Sequence, residues 1–153
     1  EGIHFNIIGT NYKLTNIQAA VGLGQLENID VLLNKRVQLA NNYKKLIKNF
    51  NKINLPIVLD PKLNCQHSFQ TYIVYIDDRD RVMSEMRKKG IEVQIGSYAL
   101  HMHKAFNSNS QIEIIGDLKN SKWCFKHALA LPLYNDLKFE LQEVIINELN
   151  SCL

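Results

Sequence analysis

No apolar run in this 153-residue chain is long enough to span a bilayer, which excludes a membrane-crossing helix within it. Cysteine is scarce and scattered: Cys65, Cys124 and Cys152 form no C-x-x-C pair. That spacing argues for buried or idle thiols in a reducing, cytoplasmic setting rather than for a disulfide frame or zinc site. No G-x-S-x-G elbow is present, nor any Walker or Rossmann glycine pattern, so neither hydrolase nor P-loop chemistry has its usual signature. Cys124 and His127 stand three apart on an expected helix, a spacing that reads as a shared structural face rather than a catalytic pair. His101-x-His103 has no third ligand at a suitable spacing, so no metal site is expected. Asp77-Asp78 reads as a helix start, where carboxylates meet the positive end of the helix dipole. A basic-then-apolar leader is missing, and the first residue is Glu1 rather than Met. A cut from a longer polypeptide produces such a start, as does removal of a tag.

What is present suits a globular domain. The residues are 46% hydrophobic and 22% charged, and the length is that of one ordinary domain with its own core. The formal net charge of +3 is unevenly spread. Lys35, Arg36, Lys44, Lys45, Lys48, Lys52 and Lys62 crowd between residues 34 and 64 against a single acid, Asp60. Two readings stay open for this Lys35–Lys62 block. One is a solvated helix face; the other is a non-catalytic nucleotide- or nucleic-acid-binding α/β module that uses the lysines on phosphates.

Hydrophobic spacing organises the rest. Thr15 is a plausible cap for a helix carrying Ile17, Ala20, Val21, Leu23 and Leu26. Gly22 and Gly24 weaken that helix, at about 1 kcal/mol each relative to Ala, and are tolerated most easily where another backbone packs close. Asp30 can cap a second helix with Leu32, Leu39, Tyr43, Leu46 and Phe50 along one stripe. Residues 51–64, with Pro56 and Pro61, form a connector with room for a short strand at Ile57-Val58-Leu59. Thr71–Ile76 reads as a strand, Asp77–Gly90 as a helix, and Ile91, Val93 and Ile95 as a further strand. This βαβ-like unit is expected to be right-handed if its strands are parallel neighbours. Periodicity is lost from Ser97 to Ser110; a helix follows near Asp117–Ala128, then an extended Leu129–Tyr134 and a final helix marked by Leu137, Leu141, Val144, Ile145 and Leu149. The expected fold class is α/β: a small sheet with helices on one face, preceded by long N-terminal helices. Gly9-Thr10-Asn11, just before the first helix, offers donors near a helix N-terminus and so a possible anion site.

The stretch Gly9-Thr10-Asn11-Tyr12-Lys13-Leu14-Thr15-Asn16-Ile17-Gln18-Ala19-Ala20 resembles the G-x-N-[YF]-R-[ML]-T-[DE]-x-Q-A-A signature of the DegT/DnrJ/StrS family of pyridoxal-phosphate sugar aminotransferases. Other pieces follow in that family's order: Gly22–Leu26 with Asp30 and Arg36, His67–Tyr72, Arg79-Asp80, Lys89–Val93, Tyr98–His101 with Phe106, and Leu131-Pro132-Leu133-Tyr134. Three positions depart from the pattern. Lys13 replaces an arginine and loses its two-pronged geometry, Asn16 replaces an acid, and Ala99 stands where proline is usual.

The resemblance implies the α+β small domain of a fold type I aminotransferase. Residues 1–30 would be the tail of a large domain and its dimer and cofactor contacts, and residues 31–153 the C-terminal small domain. The parent enzyme would use pyridoxal phosphate to aminate a nucleotide-linked keto-sugar in amino-sugar biosynthesis, as a homodimer. The lysine that holds the cofactor covalently would lie in the large N-terminal domain, so this chain alone is expected to be inactive and to carry no catalytic residue of its own. Asn11 inherits the asparagine that reaches the partner's cofactor phosphate, a role suited to a side-chain amide donor. Tyr98 and His101 match the loop that lines the sugar-nucleotide cleft. A family member that kept the fold but lost transamination is a third reading.

Overall fold

The computed structural model describes residues 12–56, 67–107 and 111–153. Helix α1 (Asn16–Leu26) starts at a capping box. The Thr15 hydroxyl accepts from the Gln18 backbone N–H at 3.2 Å, and the Gln18 side chain accepts from the Thr15 N–H at 2.9 Å. The sequence Thr-Asn-Ile-Gln thus satisfies two donors that a helix start leaves unpaired. Helix α2 (Ile29–Ile47) follows almost at once. Asn28, not Asp30, occupies the cap position; Asp30 lies in the first turn, where its charge still meets the helix dipole.

The sheet has three short strands in the order β1-β3-β2: β1 (Tyr72–Tyr75), β2 (Gln94–Ile95) and β3 (Ala128–Leu131). Strand β3 is antiparallel to both neighbours, with Tyr72 opposite Leu131 and Gln94 opposite Ala130. The strands flanking α3 (Arg79–Lys88) are therefore not neighbours, and the handedness rule for adjacent parallel strands does not apply. The reason lies in β3 itself. All four of its residues are buried, so it needs cover on both faces and both edges, which only the central place supplies. The strand expected over Ile91–Ile95 pairs only at Gln94 and Ile95.

Helices α2, α3 and α6 (Phe139–Ser151) meet one face of the sheet. Leu39, Tyr43 and Ile47 of α2, Val82 and Met86 of α3, and Ile146 and Leu149 of α6 are almost fully buried there against Val74 and Leu129. Leu141 and Val144, expected inward, are half exposed; Gln142 is fully buried in their place. Its amide donates to the Leu39 carbonyl at 3.0 Å and its oxygen accepts from Asn42 at 2.8 Å, so a polar residue satisfied on both sides joins α2 to α6. Helix α5 (Lys119–His127) reaches the other face through Tyr75, whose ring meets Trp123.

Two glycines have evident local reasons. Gly90 ends α3 at φ +78°, with the Gly90 N–H on the Arg87 carbonyl and the Ile91 N–H on that of Met86, the paired bonds of a Schellman motif. Gly96 lies so close to β3 that a Cβ would sit 3.0 Å from the Ala128 Cβ. Gly22 and Gly24 have no such neighbour: nothing described lies within 4 Å of a Cβ at either. The strand proposed for Ile57–Leu59 lies outside the described residues; just before it, Asn54 bridges to Tyr75. Among the described residues no helix is long and apolar enough to cross a membrane.

Candidate functional site

Between the β2–β3 side of the sheet and the segment after β2 lies a cleft of about 440 Å³. Its polar wall carries Gln70, Thr71, Glu92 and Gln94, and its apolar wall Ile95, Gly96, Ala130 and Pro132, with Tyr98 among the lining residues. The polar wall is held in advance. The Arg87 guanidinium donates to the Val93 carbonyl at 2.8 Å and to the Gln94 amide oxygen at 2.9 Å, while the Gln94 amide donates to Glu92 at 3.0 Å. Amide and carboxylate groups fixed beside an exposed aromatic ring suit a ligand with hydroxyls and a flat or sugar face.

The residues singled out from sequence fare differently. Tyr98 is 59% exposed and reaches the cleft. His101 is not among the cleft's described walls; it sits in a 3₁₀ turn, Leu100–Met102, with its Nε2 buried and unpaired. Asn11 lies outside the described residues. Gln70, Thr71, Glu92 and Gln94 had drawn no role from sequence. Gln70, Thr71 and Glu92 lie within segments that match the family's order, but nothing beyond polarity beside short strands singled out these side chains.

Other candidates resolve into structural roles. The Cys124 thiol lies 3.8 Å from the Tyr75 hydroxyl, whose pKa is raised by burial and by this contact. His127 instead packs on Trp123 and faces the Ile76 carbonyl and Asp77. The Asp78 carboxylate takes the Arg81 guanidinium at 2.7 Å and makes no cap bond. Within the basic block, Lys35 lies over the Phe139 ring, Arg36 donates to the Phe69 and Gln70 carbonyls, and Lys52 to the Leu153 carbonyl. Lys44 lines a second cleft with Tyr72 and His67. The nucleic-acid-binding reading of this block finds no support.

Helix α1 is different in kind: none of its residues is buried. Ile17 and Val21 are 79% and 63% exposed on one side, and Leu23 and Leu26, at 63% and 62%, lie on roughly the opposite side at 100° per residue. A helix apolar on both sides is the pattern of one covered all round.

Comparison with known proteins places these features. The family model described as the DegT/DnrJ/EryC1/StrS aminotransferase family matches residues 2–150. GDP-perosamine synthase of Caulobacter vibrioides is 32% identical over 139 residues, covering 87% of this chain and 36% of that protein. The dTDP-4-amino-4,6-dideoxy-D-glucose transaminase of Shigella dysenteriae is 26% identical, covering 97% of this chain and 40% of its own. Among solved structures, DesV of S. venezuelae in complex with a ketimine intermediate superposes with a TM-score of 0.81 at 22% identity, over 95% of this chain and 38% of that one. The chain thus spans well under half the length of the relatives it matches. Members of the family depend on pyridoxal phosphate, which needs a lysine together with an acid for its ring nitrogen. Neither cleft offers both among its described walls: one has Glu92 without a lysine, the other Lys44 without an acid. Neither of these two clefts by itself therefore fits the cofactor. With a family-model match running from residue 2 to residue 150, the chain belongs to the DegT/DnrJ/EryC1/StrS aminotransferase family.

Proposed function

We propose that this chain is the C-terminal portion of a pyridoxal-phosphate aminotransferase that aminates a nucleotide-linked keto-sugar. The observation that carries the reading is the pairing of a near-complete family match with a length well under half that of the relatives. Residues 1–30 would belong with a large N-terminal domain and residues 31–153 with the small domain. That division is supported by where burial begins: α1 has no buried residue, whereas α2 enters the core from Leu39 onward. The two apolar sides of α1 would be covered by the large domain and by a second copy in a homodimer.

In this reading the chain's own residues bind and orient; they do not transfer the amino group. Asn11 would donate to the partner's cofactor phosphate. Tyr98 would contact the sugar-nucleotide across the cleft, with Gln70, Gln94 and Glu92 offering hydrogen bonds to sugar hydroxyls. His101 would belong to the same loop without facing the described cleft. The unpaired thiols Cys124 and Cys152 are consistent with a cytoplasmic enzyme.

The test is chemical. Mixing the purified chain with pyridoxal phosphate, reducing with borohydride and reading the intact mass with peptide mapping should give no site-specific stoichiometric adduct. A single lysine labelled in full would place the cofactor site within these residues and end the proposal.

A further inference from the structure

Tyr98 projects into the cleft with little to hold it. The residue is 59% exposed, and its hydroxyl makes no hydrogen bond to a described residue. What fixes its direction is contact between rings. The Phe125 centroid lies 6.1 Å from that of Tyr98 and 5.5 Å from that of His103, which stands edge-on at 66°; His103 and Tyr98 are 6.2 Å apart. The three rings form a triangle in which Phe125, near the end of α5, is the member anchored to regular structure.

Phe125 is itself held by Arg79. This arginine is only 3% exposed, at the start of α3. Its Nη2 donates to the Phe125 carbonyl at 2.8 Å and its guanidinium carbon lies 5.7 Å from the Phe125 ring, while its Nε sits 2.8 Å from the Asp80 carboxylate. Arg79 so grips both the backbone and the ring of Phe125, and a planar guanidinium serves this where a lysine would not. His103 adds a second restraint, because its carbonyl accepts the Phe106 and Asn107 N–H groups and closes the loop onto the short helix α4 (Lys104–Asn107).

We infer that Phe125, clamped by Arg79, is a positioning residue that sets the direction in which Tyr98 enters the sugar-nucleotide cleft. This rests on the reading of Tyr98 as a substrate contact. Displacing a contact by about an ångström can cost up to a hundredfold, so the platform should matter to sugar binding without touching the sugar.

The experiment uses the full-length enzyme, with UDP-glucose, GDP-mannose and dTDP-glucose as unreactive probes in titration calorimetry and steady-state kinetics beside it. Phe125→Leu should weaken the preferred probe about tenfold and raise KM for the sugar substrate by a similar factor, leaving kcat and KM for the amino donor near the parent values. Phe125→Tyr, which keeps the ring, should restore binding. In a Tyr98→Ala background, Phe125→Leu should have no further effect, since it acts through Tyr98. Unchanged probe affinity in Phe125→Leu, or additive losses in the double variant, overturns the inference. If Tyr98→Ala itself binds the probes normally, or no probe binds the parent, the substrate reading of Tyr98 fails first and takes this one with it. Should Phe125→Leu not fold, Phe125→Met, which nearly conserves volume, carries the same cycle.

Discussion

The Tyr43 phenol donates to the Pro132 carbonyl at 2.9 Å, so the longest helix is tied to the strand exit that walls the cleft. Tyr43 is fully buried, and burial raises its pKa well above the ordinary phenol value, which keeps the hydroxyl a donor. Tyr43→Phe leaves a carbonyl without its partner and should cost about 1–2 kcal/mol in urea unfolding. Tyr72→Phe is the control, because Tyr72 is buried to a similar degree but its hydroxyl makes no such bond to a described residue. Equal losses in the two variants would mean that the hydrogen bond contributes nothing.

Gly96 packs where no side chain fits. A Cβ there would also come within 3.2 Å of the Ala128 carbonyl carbon and of the Ile73 Cγ2, two neighbours at the heart of the sheet. Gly96→Val should lower stability by about 1–3 kcal/mol through overpacking, and should disturb the cleft that Gly96 lines. Gly90→Ala tests a different cause, the left-handed backbone at φ +78°, and should cost about 1–2 kcal/mol. An unchanged denaturation midpoint in either variant contradicts the corresponding account.

Two ion-paired carboxylates give the fold an acid dependence with a defined sign. Glu148 accepts from Lys89 at 2.6 Å, linking α6 to α3, and that hydrogen bond holds its pKa below the usual carboxylate range. Glu85 is lowered in the same way by Arg81. Because both folded values are depressed, the stabilisation is complete above the unfolded value of about 4.3 and is lost as pH falls through the folded values. Melting temperature followed from pH 7 to pH 3 should fall less steeply in a Glu85→Gln, Glu148→Gln variant than in the parent. Parallel curves would show that other groups govern acid unfolding.

An uncovered α1 should make the isolated chain sticky. Sedimentation velocity is expected to show self-association that Ile17→Lys with Leu26→Lys abolishes, with little change in the unfolding midpoint, since neither residue is buried. A parent chain that stays monomeric as its concentration rises would count against α1 as a covered helix.

How much was legible beforehand varied with the kind of cause. Thr15 and Gln18 announce the start of α1 by spacing alone, because a capping box is made within four consecutive residues. Gly90 after Lys88-Lys89 announces the end of α3 for the same reason. The stripe of Leu39 and Tyr43 and the ordered matches to the family motifs were also readable, since periodicity and motif order survive without coordinates.

Long-range partners decided the rest. Leu141 and Gln142 exchange their expected places because α2 presents the Leu39 carbonyl and Asn42 to α6 across 100 residues or more of chain. Strand β3 inserts between β1 and β2 because its four residues need cover on both faces, a demand no local pattern expresses. Tyr98 enters a cleft while His101, three residues on, turns into a 3₁₀ segment, and the ring that Tyr98 packs on, Phe125, is held by Arg79 from another helix. Local hydrogen bonding wrote the elements and their ends into the sequence. The pairing of surfaces far apart in the chain, where burial must be satisfied on every side at once, was settled only by the tertiary structure.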